Sequence, residues 1–223
     1  MTKKKLTISE LKPRIRKMRY CIGAHEAGHA IISILAMHAT ASRGVRRAVD
    51  MRDAGHLLNG FDTVTVYNSA ERKRRNENAA VEGCSLYTLG DAFNADDFNR
   101  LSQYKRNWLR QAIKWDIRIA LAGEIAGAIA KRSKDATRKK VWEATADYRI
   151  AKAAADDYLR CTGKPVDMER LHVETYHLVI ASWDAIRALA KVLTRPKQLT
   201  FAEAYPIISR HKLPYDLLRR KNK

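Results

Sequence analysis

Two histidines flank a glutamate in the run His25-Glu26-Ala27-Gly28-His29. On a helix, residues four apart share a face and lie roughly 6 Å apart along the axis. Both imidazoles then reach one zinc ion at about 2.0–2.1 Å. Glu26 sits beside the first ligand, where its carboxylate can take a proton from water on the metal. Zinc lowers the pKa of that water towards about 7 and polarises a carbonyl as a Lewis acid. Base, metal and nucleophile for hydrolysis would thus come from one helical turn. Met18, Ile22, His25, His29 and Ile32 step by three or four, which predicts an apolar stripe around the histidines. A buried imidazole needs a polar partner. Gly28 costs roughly 1 kcal/mol against alanine inside a helix, which points to close approach by another backbone. The plainer reading is a pair of histidines satisfied within a core.

A catalytic zinc needs a third protein ligand. By residue type the candidates are Glu82, Asp91, Glu124, Asp147, His56, His172 and His177. Asp147 has the best setting, because Ala144, Ala151, Ala154 and Tyr158 fall on about its face. Small neighbours would let its helix press against the motif helix. Asp156 and Asp157 read as a solvated acidic pair.

Several elements must position these groups. Residues 1–18 read as a basic N-terminal arm with a short helix interrupted by Pro13, and 19–223 as the main domain. The motif helix is expected over Arg19 to His38. Gly44, Gly55 and Gly60 punctuate an irregular stretch. Phe61 to Tyr67 is β-branched and aromatic and reads as a strand, with Gly83 to Leu89 its partner across a polar loop, Asn68 to Asn78. Helices are expected over Phe98 to Lys131, capped by Asp96, and over Thr137 to Cys161, stopped at Thr162-Gly163-Lys164-Pro165. Two more follow, over Asp167 to Leu193 and Thr200 to His211. The expected fold class is mainly α (α+β): a zincin-like helical domain with a small two- or three-stranded sheet.

With 46% hydrophobic residues the chain can pack a core, which excludes wholesale disorder. Lysine and arginine total 43 against 24 acids, a formal charge of +19. Such an excess attracts nucleic acid, anionic lipid or acidic proteins alike. The cations are scattered rather than gathered with aromatics, which reads as a solvated basic surface and not as a nucleic-acid motif. Cys21, Cys84 and Cys161 form no C-x-x-C pair or disulfide framework, and no apolar leader follows the N-terminal lysines. A cytoplasmic protein is the expectation. The longest apolar stretch, Ala27 to Ala41, is too short to span a bilayer.

The order of the pieces resembles the peptidase domain of the FtsH family of ATP-dependent zinc proteases. Ala24-His25-Glu26-Ala27-Gly28-His29-Ala30 resembles that family's metal-binding helix. Thr63 to Val66 followed by Leu86-Tyr87-Thr88 resembles its small sheet. Ile119-Ala120-Leu121-Ala122-Gly123-Glu124-Ile125-Ala126 is similar to its helix with a Leu-Gly-Gly-like core. Ala144 to Ala151 is similar to the helix bearing its aspartate ligand. The resemblance spans about Arg19 to Ile208. It implies that His25, His29 and Asp147 bind zinc, that Glu26 is the base, and that substrate lies extended along the sheet edge. This chain has Gly127 and Ala128 where the family carries acids, and it has no G-x-x-x-x-G-K-[ST] loop.

The resulting expectation is a soluble zinc metalloendopeptidase without its own motor. It would act on unfolded or flexible protein or peptide substrates, or borrow a separate ATPase partner, and the resemblance suggests a homo-oligomer. One alternative is a degenerate peptidase fold serving as a basic nucleic-acid- or protein-binding module. Another is a narrow regulatory protease with a single repressor-like target.

Overall fold

A computed structural model describes residues 8–40, 63–66, 79–82, 95–132, 145–195 and 197–219. It is mainly helical with one small antiparallel sheet, as the residue pattern led us to expect. Helix α1 (Ile8–Thr40) runs through the centre. From Glu26 to Ala36 every residue is buried, so this part of the helix has no solvent face. A helix apolar all round belongs in the middle of a bundle. The expected stripe is therefore only part of the story: Ile31, Ile32 and Leu35 are fully enclosed, while Met18 is exposed. Residues 8–18, read from sequence as part of an arm, belong to the same helix as the motif. Arg, Lys, Met and Leu propagate a helix well once a buried segment has nucleated it. Pro13 removes one backbone hydrogen bond near the start.

Strand β1 (Thr63–Val66) lies between β2 (Ala79–Glu82) and β3 (Lys197–Thr200), both antiparallel to it. Val64 faces Val81 on one side and Leu199 on the other. Val64, Val66 and Leu199 are buried, so the sheet closes over the bundle against α1. The expected partner segment Gly83 to Leu89 lies outside the described residues, as does the loop Asn68 to Asn78. Within them, β1 pairs with Ala79–Glu82 and with a strand from the C-terminal part.

Instead of one helix there are two: α2 (Ala95–Arg100) and α3 (Gln103–Ala130). Asp96 stands in the first turn of α2, and Ser102 caps α3 by accepting from Lys105 N at 3.3 Å. The chain continues through α4 (Ala146–Thr162), α5 (Met168–Ala181), α6 (Trp183–Val192), α7 (Phe201–Ile208) and α8 (Tyr215–Arg219). The stretch expected as a single helix to Leu193 is broken at Ser182. Gly163 ends α4 with φ 68°, a left-handed position that glycine adopts without penalty. Thr200 and Glu203 form a reciprocal capping box at α7.

The core runs along α1, which packs most extensively on α3 and then on α6. Ile117, Leu121 and Ile125 of α3 and Ile186 and Leu189 of α6 are almost fully enclosed. A partly buried ion pair, Arg118 Nη2 to Glu174 Oε2 at 2.5 Å, ties α3 to α5. No helix among the described residues is long and apolar enough to cross a membrane.

Candidate metal centre

α1 and α3 approach closely because glycines stand at their crossing. A Cβ on Gly28 would lie 2.7 Å from the Ala122 carbonyl oxygen and 2.8 Å from Ala126 Cβ. Close backbone approach thus explains a helix-interior glycine, as expected from its cost. At Gly123 the crowding comes from a side chain, since a Cβ there would overlap the His29 ring. The missing side chain is the space that the imidazole fills.

His29 is buried, and its Nδ1 lies 2.7 Å from the Ile119 carbonyl oxygen. A carbonyl only accepts, so Nδ1 carries the proton and Nε2 keeps its lone pair when the ring is neutral. That is how proteins fix the tautomer of a metal-ligating histidine. His29 Nε2 lies 3.2 Å from His25 Nε2, with the two rings edge to face. The third group comes from α4. Thr145 caps this helix, accepting from Tyr148 N at 3.2 Å, and so holds Asp147 in the first turn. Asp147 Oδ2 stands 3.0 Å from His25 Nε2 and 3.2 Å from His29 Nε2. α4 packs chiefly on α3 rather than on the motif helix, and Asp147 reaches across to the histidines from there. Ala151, one turn on, is fully buried and keeps α4 close.

The three ligand atoms all lie within 4.8 Å of one another, on three residues that could hold a metal ion. Asp147 Oδ2 is buried and yet accepts no hydrogen bond, although two ring nitrogens are near. Two ring nitrogens and a carboxylate oxygen that converge at 3.0–3.2 Å suit a cation placed between them. Two imidazoles and a carboxylate are also a donor set suited to a first-row divalent metal. The residues present therefore fit the ion that the motif implies.

Electrostatics point the same way in the metal-free protein. Burial alone would lower the His29 pKa, but the Asp147 carboxylate against the ring, aided by Glu26 and the Ile119 carbonyl, carries it up to about 9. Burial would raise the Asp147 pKa, but the two adjacent imidazoles outweigh it and hold the carboxyl well below the usual range. A proton on His29 does the work a cation would do. Glu26 is itself buried, with Oε1 3.9 Å from His25 Nε2, while His25 is a quarter exposed and opens the cluster to solvent.

The other candidate ligands are elsewhere. His172 is buried in α5, where burial lowers its pKa, and it does not join the cluster. His177 lines a separate cavity with Trp115 and Tyr158. Glu124 is half-buried on α3 and outside the ligand group. Glu82 lies in β2 opposite Thr63, and His56 and Asp91 fall outside the described residues. Sequence reasoning missed the Ile119 carbonyl, which a backbone atom cannot advertise. It also missed the specific need for Gly123, although the residue stood within the small-residue run of that helix.

These features define a mainly helical chain with a His-Glu-x-x-His helix and a converging aspartate. No protein-family model matches the sequence, and no curated protein is significantly similar to it.

Proposed function

We propose that the protein is a zinc-dependent metalloendopeptidase related to the FtsH peptidase domain. The observation that carries this reading is the meeting of His25, His29 and Asp147, from helices far apart in sequence, with Glu26 buried beside them. His25, His29 and Asp147 would hold the ion, which when bound supplies Lewis acidity to water and to the scissile carbonyl. Glu26 takes the proton from the attacking water and delivers it to the leaving amine. It is buried beside the cluster, shielded from bulk water. Ile119 holds the His29 ring in the ligating tautomer, and Thr145 holds Asp147 at the helix start.

Among the described residues the sheet has two edge strands, β2 and β3, and an extended substrate can pair with such an edge. Unfolded or flexible chains are the substrates that offer free backbone for this, with a separate ATPase as one source of them.

The reading is tested by Glu26→Gln assayed with an unfolded protein substrate. Metal content should be unchanged, and cleavage should fall about 10²–10⁴-fold, the usual contribution of a general base. Cleavage at the wild-type rate would remove Glu26 from the mechanism. Metal-loaded wild type that cleaves nothing, but binds its partner equally well as Glu26→Gln, would favour a binding module.

A further inference from the structure

We propose that a cleft between the start of α1 and the end of α6 binds a compact polyphosphate anion, independently of the metal centre. The cleft encloses about 660 Å³, and four of its lining residues are Arg16, Arg19, Lys191 and Arg195. Among the described residues no acid lines it; Ile15 and Val192 supply apolar surface instead. Some cations elsewhere pair with acids: Arg118 with Glu174, Lys152 with Asp156, and Arg187 of α6 itself with Asp184. Among the described residues, no carboxylate lies in ion-pair range of the four in the cleft. Like charges gathered in one concavity repel, and a bound anion removes that repulsion.

A plainer role covers only half of the set. Lys191 and Arg195, at the end of α6, offset the negative end of its dipole. Arg16 and Arg19 project from a different helix and have no such duty there. The larger cavity, about 950 Å³ near Trp115, gives a contrast. Its Arg118 and Arg170 are both engaged by Glu174.

The charge and the lining narrow the ligand. Guanidinium groups match phosphate oxygens in paired hydrogen bonds. One phosphate group carries roughly −1.5 to −2, so two or three linked phosphates are needed to balance four cations. Among the described residues the lining contains no aromatic side chain on which a base could stack, unlike single-strand binding grooves. A small polyphosphate, or the phosphate tail of a larger molecule, fits better than a nucleic-acid strand.

The probe is inorganic tripolyphosphate, titrated into the full chain at low salt beside the double variant Arg16→Gln/Arg195→Gln. Tripolyphosphate also chelates metals, so metal content is followed in the same samples. The variant leaves His25, His29 and Asp147 intact and therefore reports chelation alone. Wild type should bind, binding should weaken with added salt, and the variant should bind about tenfold more weakly or worse. The pair Arg19→Gln/Lys191→Gln should reproduce the loss, which guards against one variant failing to fold. Equal binding by wild type and both variants, or none by wild type, would overturn the proposal. So would tighter binding of a short DNA duplex with the same dependence on the four cations, which would make the cleft part of a nucleic-acid surface.

Discussion

His29 has both ring nitrogens committed, Nδ1 to the Ile119 carbonyl and Nε2 to the meeting point with His25 and Asp147. In the metal-free protein this makes a proton on the ring stabilising, and the sign of the pH dependence follows. The folded pKa, about 9, lies above the ordinary 6.5. The contribution is therefore complete below pH 6.5 and disappears as pH rises through about 9. Asp147 behaves in the opposite sense, because its pKa is depressed: its contribution is present above the usual carboxylate range and is lost in acid. Melting temperatures in chelator should fall between pH 6.5 and about 9, and Asp147→Ala should flatten that slope. Metal binding at neutral pH should release a proton, read by calorimetry in buffers of different ionisation enthalpy. An alkaline slope unchanged by Asp147→Ala would break the link between the two residues. The histidine pair and Glu26 were legible in sequence because helix geometry turns a four-residue spacing into a shared face. By residue type and setting Asp147 could only be ranked among seven candidates, and the resemblance alone singled it out, since spacing does not state which distant helix meets that face.

At the scale of elements, the α1–α3 crossing decides whether the site can form. Gly123 and Gly127 lie one turn apart on α3, yet they make different demands. A Cβ at Gly123 would enter the His29 ring, whereas one at Gly127 would lie 3.5 Å from His25 Cβ, an ordinary contact. Gly127→Ala should therefore keep the metal and raise stability by about 0.5–1 kcal/mol, the helix-propensity gain. Gly123→Ala should lower metal affinity even if the helix content is unchanged. Metal titration and thermal melts of the two variants check this, and equal behaviour would refute the account of the crossing. Helix existence was readable from composition and periodicity, but the breaks at Ser102 and Ser182 were not. Apolar residues continue across both, so only tertiary packing reveals the interruptions. The Lys197–Thr200 strand was missed for a related reason: with Leu199 alone buried, it is a strand because β1 is there to pair with it.

Across the whole molecule, α1 contributes to both candidate sites. Its buried middle carries His25, Glu26 and His29, and its exposed start carries Arg16 and Arg19. The formal charge of +19 identified neither surface, because a sum over the chain does not show which cations lack partners. The three candidate ligand residues join the central helix to α4, which otherwise packs chiefly on α3. A bound ion would therefore act as a cross-link within the fold, and metal should raise the melting temperature of the wild type. The central claim is that Asp147 completes the site begun by the two histidines. It is tested most directly by elemental analysis of purified wild type and Asp147→Ala after equilibration with zinc. About one zinc per wild-type chain is expected, as three protein ligands and an open position imply, and much less in the variant. Equal zinc in both proteins, or none in the wild type after zinc is added back, would contradict it.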